Sequence, residues 1–111
     1  MAIADRLPSR EKLVQKTINI DDRLYTRLEG VADKLEISIS KIINACILEL
    51  AEQENVRLYD GSNELLVKHT ILFQERALRE VERLKEKYRI SFYKMVNIAI
   101  HNVIDELEEL P

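Results

Sequence analysis

The side chains able to do chemistry fall into two groups. Those suited to covalent or metal chemistry are few and scattered. Cys46 lies in an apolar run, where a small buried thiol is the ordinary reading, and a single cysteine forms no internal disulfide. His69 and His101 have no matching nucleophile or acid pair, spaced metal ligands are missing, and there is no glycine-rich phosphate loop. These features disfavour an enzyme, and neither a cofactor nor a metal is expected. The second group is patterned. Gln15, Thr17 and Asn19 recur at every second position, as do Lys68, Thr70 and Leu72. A period of two puts such residues on one face of an extended segment. Asn and Gln can bond adenine bidentately, Lys can donate to O6 and N7 of guanine, and Thr can bond a base edge or touch a thymine methyl. The same alternation also describes the solvated face of any exposed ribbon.

The elements that would position these residues come from an internal duplication. Shifting the sequence by 53 positions aligns Leu13–Gln53 with Leu66–Glu106 without a gap. Thr17 then falls on Thr70, Ile18 on Ile71, Ile37 on Ile90, Ser38 on Ser91, Lys41 on Lys94 and Asn44 on Asn97. Each half carries the same order of periodicities, a short alternation followed by two helical stretches divided by an Ile-Ser pair. Asp21 or Asp22 opens the first helix as an N-cap, and Gln74 and Glu75 take the matching places less specifically. Leu24, Leu28, Val31 and Leu35 form one helical stripe, and Ala77, Val81, Leu84 and Tyr88 repeat its spacing. Ser38 and Ser91 are placed to cap the next helix, which is apolar over a wide arc and so predicted to be buried.

The predicted organisation is a basic N-terminal arm over 1–12, a first unit over 13–53, a linker over 54–65, a second unit over 66–107 and an acidic tail over 108–111. Asp60-Gly61-Ser62-Asn63 is a turn signal within the linker. With 111 residues, 46% of them apolar, the chain supports one compact core. Charged residues make up 33% but nearly cancel, leaving a net charge of -3, so any surface for a polyanion must be local. No apolar stretch has the length of a membrane helix or a signal peptide, so a cytoplasmic protein, with no membrane partner, is expected.

One strand in a unit of this size cannot satisfy its backbone or cover two helices. Two copies solve the problem when their strands pair antiparallel, with Ile18, Ile20, Ile71 and Phe73 facing a four-helix core.

With its alternating Gln15-Lys16-Thr17-Ile18-Asn19-Ile20, its acidic cap and its Leu35-Glu36-Ile37-Ser38-Ile39-Ser40, the chain resembles the ribbon-helix-helix superfamily of DNA-binding proteins, twice over and along nearly its whole length. The tandem form is similar to that of certain plasmid-transfer accessory proteins and archaeal viral regulators. The resemblance implies a mainly α fold, a pseudo-dimeric four-helix core under a two-stranded β-ribbon. It implies that Gln15, Thr17, Asn19, Lys68, Thr70 and Leu72 contact bases in the major groove. The start of the second helix of each unit would grip phosphate, which carries over to Ser38, Ser40 and Lys41, and to Ser91, Tyr93 and Lys94; exposed amides at a helix N-terminus suit an anion. Arg6 and Arg10 could extend along the DNA backbone, or belong to a solvated tail.

The implied function is a sequence-specific transcription regulator, a repressor acting by occupancy, of prokaryotic, viral or plasmid origin, with double-stranded DNA as partner and self-association on DNA possible. The alternatives are an accessory or architectural protein of plasmid transfer or replication, an antitoxin, which ranks lower because little chain follows the second unit, and a non-DNA oligomerisation module. Three departures from the family pattern stand out. Glu36 and Arg89 occupy the inter-helix turn where Gly is frequent. Lys16 and His69 lie on the inward side of the strands, where they would fray the ribbon or snorkel outward. Leu72 replaces a polar reader.

Overall fold

The computed structural model describes residues 12–59 and 65–111. The turn signal at 60–63 and the arm residues Arg6 and Arg10 lie outside them. Within them the chain is mainly helical with one two-stranded antiparallel sheet. The first half gives β1 (Leu13–Asp21), α1 (Asp22–Leu35) and α2 (Ile39–Gln53); the second gives β2 (Leu66–Gln74), α3 (Glu75–Tyr88) and α4 (Phe92–Glu109). Because α4 runs to Glu109, the first two residues of the expected acidic tail belong to a helix.

The strands form because apolar and polar residues alternate over them, and their register is symmetric with respect to the duplication. Thr17 pairs with Thr70, its own counterpart, and the register runs outward from there, Gln15 opposite Leu72 and Asn19 opposite Lys68. Ile18, Ile20, Ile71 and Phe73 point inward and are buried, Phe73 fully so at 0% exposure. A side chain of that size contributes about 2–3 kcal/mol by leaving water. Phe73 also meets the edge of Phe92, centroids 5.8 Å apart.

The helices begin and end where local chemistry dictates. Asp21 caps α1 by accepting from the Arg23 N–H at 2.9 Å, and Ser38 caps α2 by accepting from the Lys41 N–H at 3.2 Å. Gln74 and Ser91 stand at the matching positions, but neither side chain makes a cap bond. Both α1 and α3 end on a left-handed residue, Glu36 at φ 56° and Arg89 at φ 55°, a conformation that glycine adopts with less strain. Paired bonds compensate at each end. The Glu36 and Ile37 N–H groups both reach Ala32 O, the latter at 3.2 Å, and the Arg89 and Ile90 N–H groups both reach Lys85 O, the latter at 3.3 Å, so the first amides past each helix end are satisfied.

The two halves interlock rather than sit side by side. Helices α2 and α4 pack on each other, α1 packs on α4 and α2 on α3, while β1 lies against α4 and β2 against α2. Two buried asparagines fasten this exchange. Asn44 donates to Ser40 O at 2.7 Å and Leu72 O at 2.9 Å, and accepts from the Gln74 N–H at 2.9 Å. Asn97 repeats the pattern on β1, donating to Tyr93 O at 2.7 Å and Asn19 O at 3.0 Å and accepting from the Asp21 N–H at 2.8 Å. Each amide thus uses both of its ends, which is what a buried polar side chain requires.

Past α2 the chain lies against α4. Asn102 donates to Asn55 O at 3.0 Å, and the Tyr59 ring stacks on His101 with centroids 4.2 Å apart. Burial, with the Asp21 carboxylate adding to it, pushes the Tyr59 phenol up to about 12.

Candidate nucleic-acid interface

The outward face of the β1–β2 pair carries all six residues expected to face a ligand. Gln15, Thr17, Lys68, Thr70 and Leu72 are exposed and Asn19 is half-buried. At the centre, Thr17 Oγ1 and Thr70 Oγ1 are 3.0 Å apart and hydrogen-bonded to each other. Each hydroxyl therefore spends part of its capacity on its counterpart, and the amide, ammonium and aliphatic groups to either side are the more available contacts. With strands about 4.8 Å apart, the face has the width of a two-stranded ribbon, which fits the major groove of B-form DNA.

The two inward polar residues each pack on an aromatic ring, and His69 Nε2 is buried without a hydrogen-bond partner among the described residues. Lys16 is exposed, and its Nζ sits 5.5 Å from the centre of the Phe92 ring, so the ammonium reaches the outer edge of the sheet as snorkelling predicts. His69 instead lies flat on Tyr25, centroids 3.5 Å apart and planes 5° from parallel. Neither residue frays its strand, since both lie within the continuous register.

The expected phosphate-gripping residues divide by half. At the start of α2, Ser38 caps the helix, and Ser40 Oγ accepts from the Leu72 N–H at 3.0 Å, tying the helix to the edge of β2. Each hydroxyl keeps its own proton for donation, and Lys41 is exposed beside them. At the start of α4, Ser91 and Lys94 are exposed and Tyr93 is half-buried. Here a groove opens between the sheet and the helix, lined by Lys16, Thr17, Asn19, Lys68, Lys85, Ser91, Phe92 and Tyr93. It joins residues expected to touch bases to residues expected to touch phosphate. Lys85 and Arg89 line a hollow next to it with Ser91. Sequence reasoning assigned no role to Lys16, Lys85 or Arg89; the repeat places each one opposite an uncharged or acidic counterpart only when compared position by position.

Cys46 is buried, and desolvation pushes its thiol up to about 12. Among the described residues no group of His, Cys, Asp and Glu is placed to hold a metal ion, and no helix is long and apolar enough to cross a membrane. No family model, curated protein or solved structure matches the chain.

Proposed function

We propose that this chain is a sequence-specific regulator of transcription that binds double-stranded DNA as a tandem ribbon-helix-helix unit, its two halves forming one pseudo-dimer. The observation that carries the reading is the register. Thr17 opposite Thr70 centres the strand pair on an internal two-fold relation, so Gln15, Asn19, Lys68 and Leu72 all project from one continuous outward face. In the groove, Asn19 and Gln15 are suited to adenine, Lys68 to guanine and Leu72 to a thymine methyl. Ser38, Ser40 and Lys41 at one end, and Ser91, Tyr93 and Lys94 at the other, are suited to the flanking phosphates.

Exposed Leu13 and Leu72, at 50% and 42%, favour a second reading in which this face meets another protein. Selection of bound duplexes from a random-sequence pool, followed by footprinting and a salt titration, separates the two. A protected site and a log-log salt slope of several units support DNA binding, whereas no retardation of any duplex at low salt eliminates it.

A further inference from the structure

The two ends of the sheet, related by the repeat, differ in charge in a way that the fold itself does not require. The groove beside α4 presents Lys16, Lys68 and Lys85, with Arg89 and Glu86 in the adjoining hollow. At the corresponding places beside α2 stand His69, Gln15, Ala32 and Glu36. The common cation, Lys94 matched by Lys41, contributes equally to both ends. None of Lys16, Lys68 and Arg89 has an acidic partner among the described residues, and Lys85 has only Glu82, with a loose contact of 3.7 Å. At the other end exposed Leu72 lies diagonally across the strands from exposed Leu13, while Leu65, Leu66 and Val67 are exposed where β2 begins, so apolar exposure does not distinguish the ends and charge does.

Three ammonium groups lining one open groove, two of them without an acidic partner among the described residues, attract a polyanion and gain by releasing its counterions. The α2 end, with Lys41 and Lys12 against Glu36, has fewer cations and gains less. The chain's overall charge of -3 sharpens the contrast, since it offers no diffuse attraction to mask a local one.

Resting on the DNA-binding reading above, we infer that the groove formed by Lys16, Lys68, Lys85 and Ser91 is the principal phosphodiester clamp, so that one chain holds duplex DNA in a single orientation with unequal flanks. Lys16 and Lys85 act as backbone cations there. The α4 end supplies most of the salt-dependent affinity, and the Leu72 end supplies contacts that salt barely touches.

The test uses the full chain and a duplex enriched from a random-sequence pool. Lys16→Gln with Lys85→Gln should lower the salt slope by about two units and weaken binding about tenfold to hundredfold at low salt. Glu36→Arg, which places at the α2 end the residue that already tolerates the same backbone at Arg89, should raise the slope by about one unit. Phosphate-ethylation interference on the unaltered protein should cluster on one flank of the site. Circular dichroism of each variant confirms that the helices are kept. Two equally sensitive flanks, or an unchanged slope in the lysine double variant while the unaltered protein binds, would overturn the clamp and leave DNA binding standing. Failure of the unaltered protein to retain any duplex would overturn both.

Discussion

Asn44 and Asn97 stand at matching places in the two halves, and each hydrogen-bonds to the strand of the other half. Asn44 binds the backbone of Leu72 and Gln74 in β2, and Asn97 binds that of Asn19 and Asp21 in β1. These backbone groups flank the outward face at its two ends. The amides therefore couple the helical core to the position of the residues proposed to read DNA.

Replacing either asparagine with alanine strands a buried N–H and a carbonyl on the opposite strand. Asn44→Ala and Asn97→Ala should each lower unfolding free energy by about 2–4 kcal/mol, measured by urea titration. Asn44→Asp should be worse than alanine, because a carboxylate would face the Ser40 and Leu72 carbonyls that now accept from the amide. Losses under about 0.5 kcal/mol, the level of a surface substitution, would mean that the bonds do not bear on folding.

Much of this was legible in the sequence, because its signals are local and repeated. Alternation over both strands, a cap at Asp21 or Asp22 and the helical stripes each follow from near neighbours, and the 53-residue offset matched Thr17 with Thr70, whereas the register that pairs them was not legible. The asparagine clamps were not legible. Asn44 and Asn97 were visible as matched polar residues within apolar helices, but their partners lie 28 to 78 residues away, and no periodicity reports a bond across halves. The basic groove was hidden for a similar reason. Lys16, Lys68 and Lys85 come from two strands and a helix, and their charges vanish into a near-neutral composition.

Left-handed backbone at Glu36 and Arg89 gives a second expectation. A residue with a Cβ is disfavoured there by about 1–2 kcal/mol relative to glycine, partly offset by the entropy glycine loses on folding. Glu36→Gly and Arg89→Gly should each raise the stability by up to about 1 kcal/mol, read from the urea midpoint at unchanged slope. A fall in midpoint for both would show that the side chains contribute more than the conformation costs. Glu54, also left-handed at φ 49°, differs because its carboxylate receives Arg83 at 3.1 Å and Lys87 at 2.9 Å. Its glycine variant should gain less.

Those ion pairs set a pH dependence. Hydrogen bonds from Lys87 and Arg83 hold the Glu54 carboxyl below its ordinary value of 4.5, and the Arg27 guanidinium does the same for Glu108. A carboxyl whose folded value is depressed contributes stability above its unfolded value and loses it as pH falls through the folded one. The protein should therefore weaken as pH drops through and below 4.5, and Glu54→Gln with Glu108→Gln should flatten that decline. Glu108 is exposed and Glu54 half-buried, both within reach of solvent ions, so raising the salt should shrink the difference between the curves. Parallel curves for the variant and the unaltered protein would exclude these two carboxyls as its source.

Burial of Cys46 at the apolar heart of α2 leads to a kinetic expectation. With its thiol pushed up to about 12, scarcely any thiolate exists near neutral pH, and the sulfur is 2% exposed as a residue. A thiol reagent should react negligibly in native buffer and stoichiometrically in denaturant. Its rate should track global unfolding across a urea series, since the neighbours Ile42, Ile43 and Ile47 are equally buried. Rapid labelling without denaturant would reveal local opening of α2.

The asymmetry of the outward face yields the sharpest expectation for recognition. Leu72 occupies in β2 the place that Asn19 holds in β1, and it is exposed enough that a polar replacement disturbs no core. An apolar side chain there favours a thymine methyl, whereas an asparagine can bond adenine bidentately. Leu72→Asn should therefore change base preference at one position of an enriched site, shifting its free energy by about 1–3 kcal/mol, while the salt slope stays the same because no phosphate contact is altered. The mirror change, Asn19→Leu, should relax preference at the position on the other side of the centre, again without changing the slope. Should either substitution alter the salt slope by a unit while leaving base preference intact, the outward face would be touching the DNA backbone and the sequence would be read elsewhere.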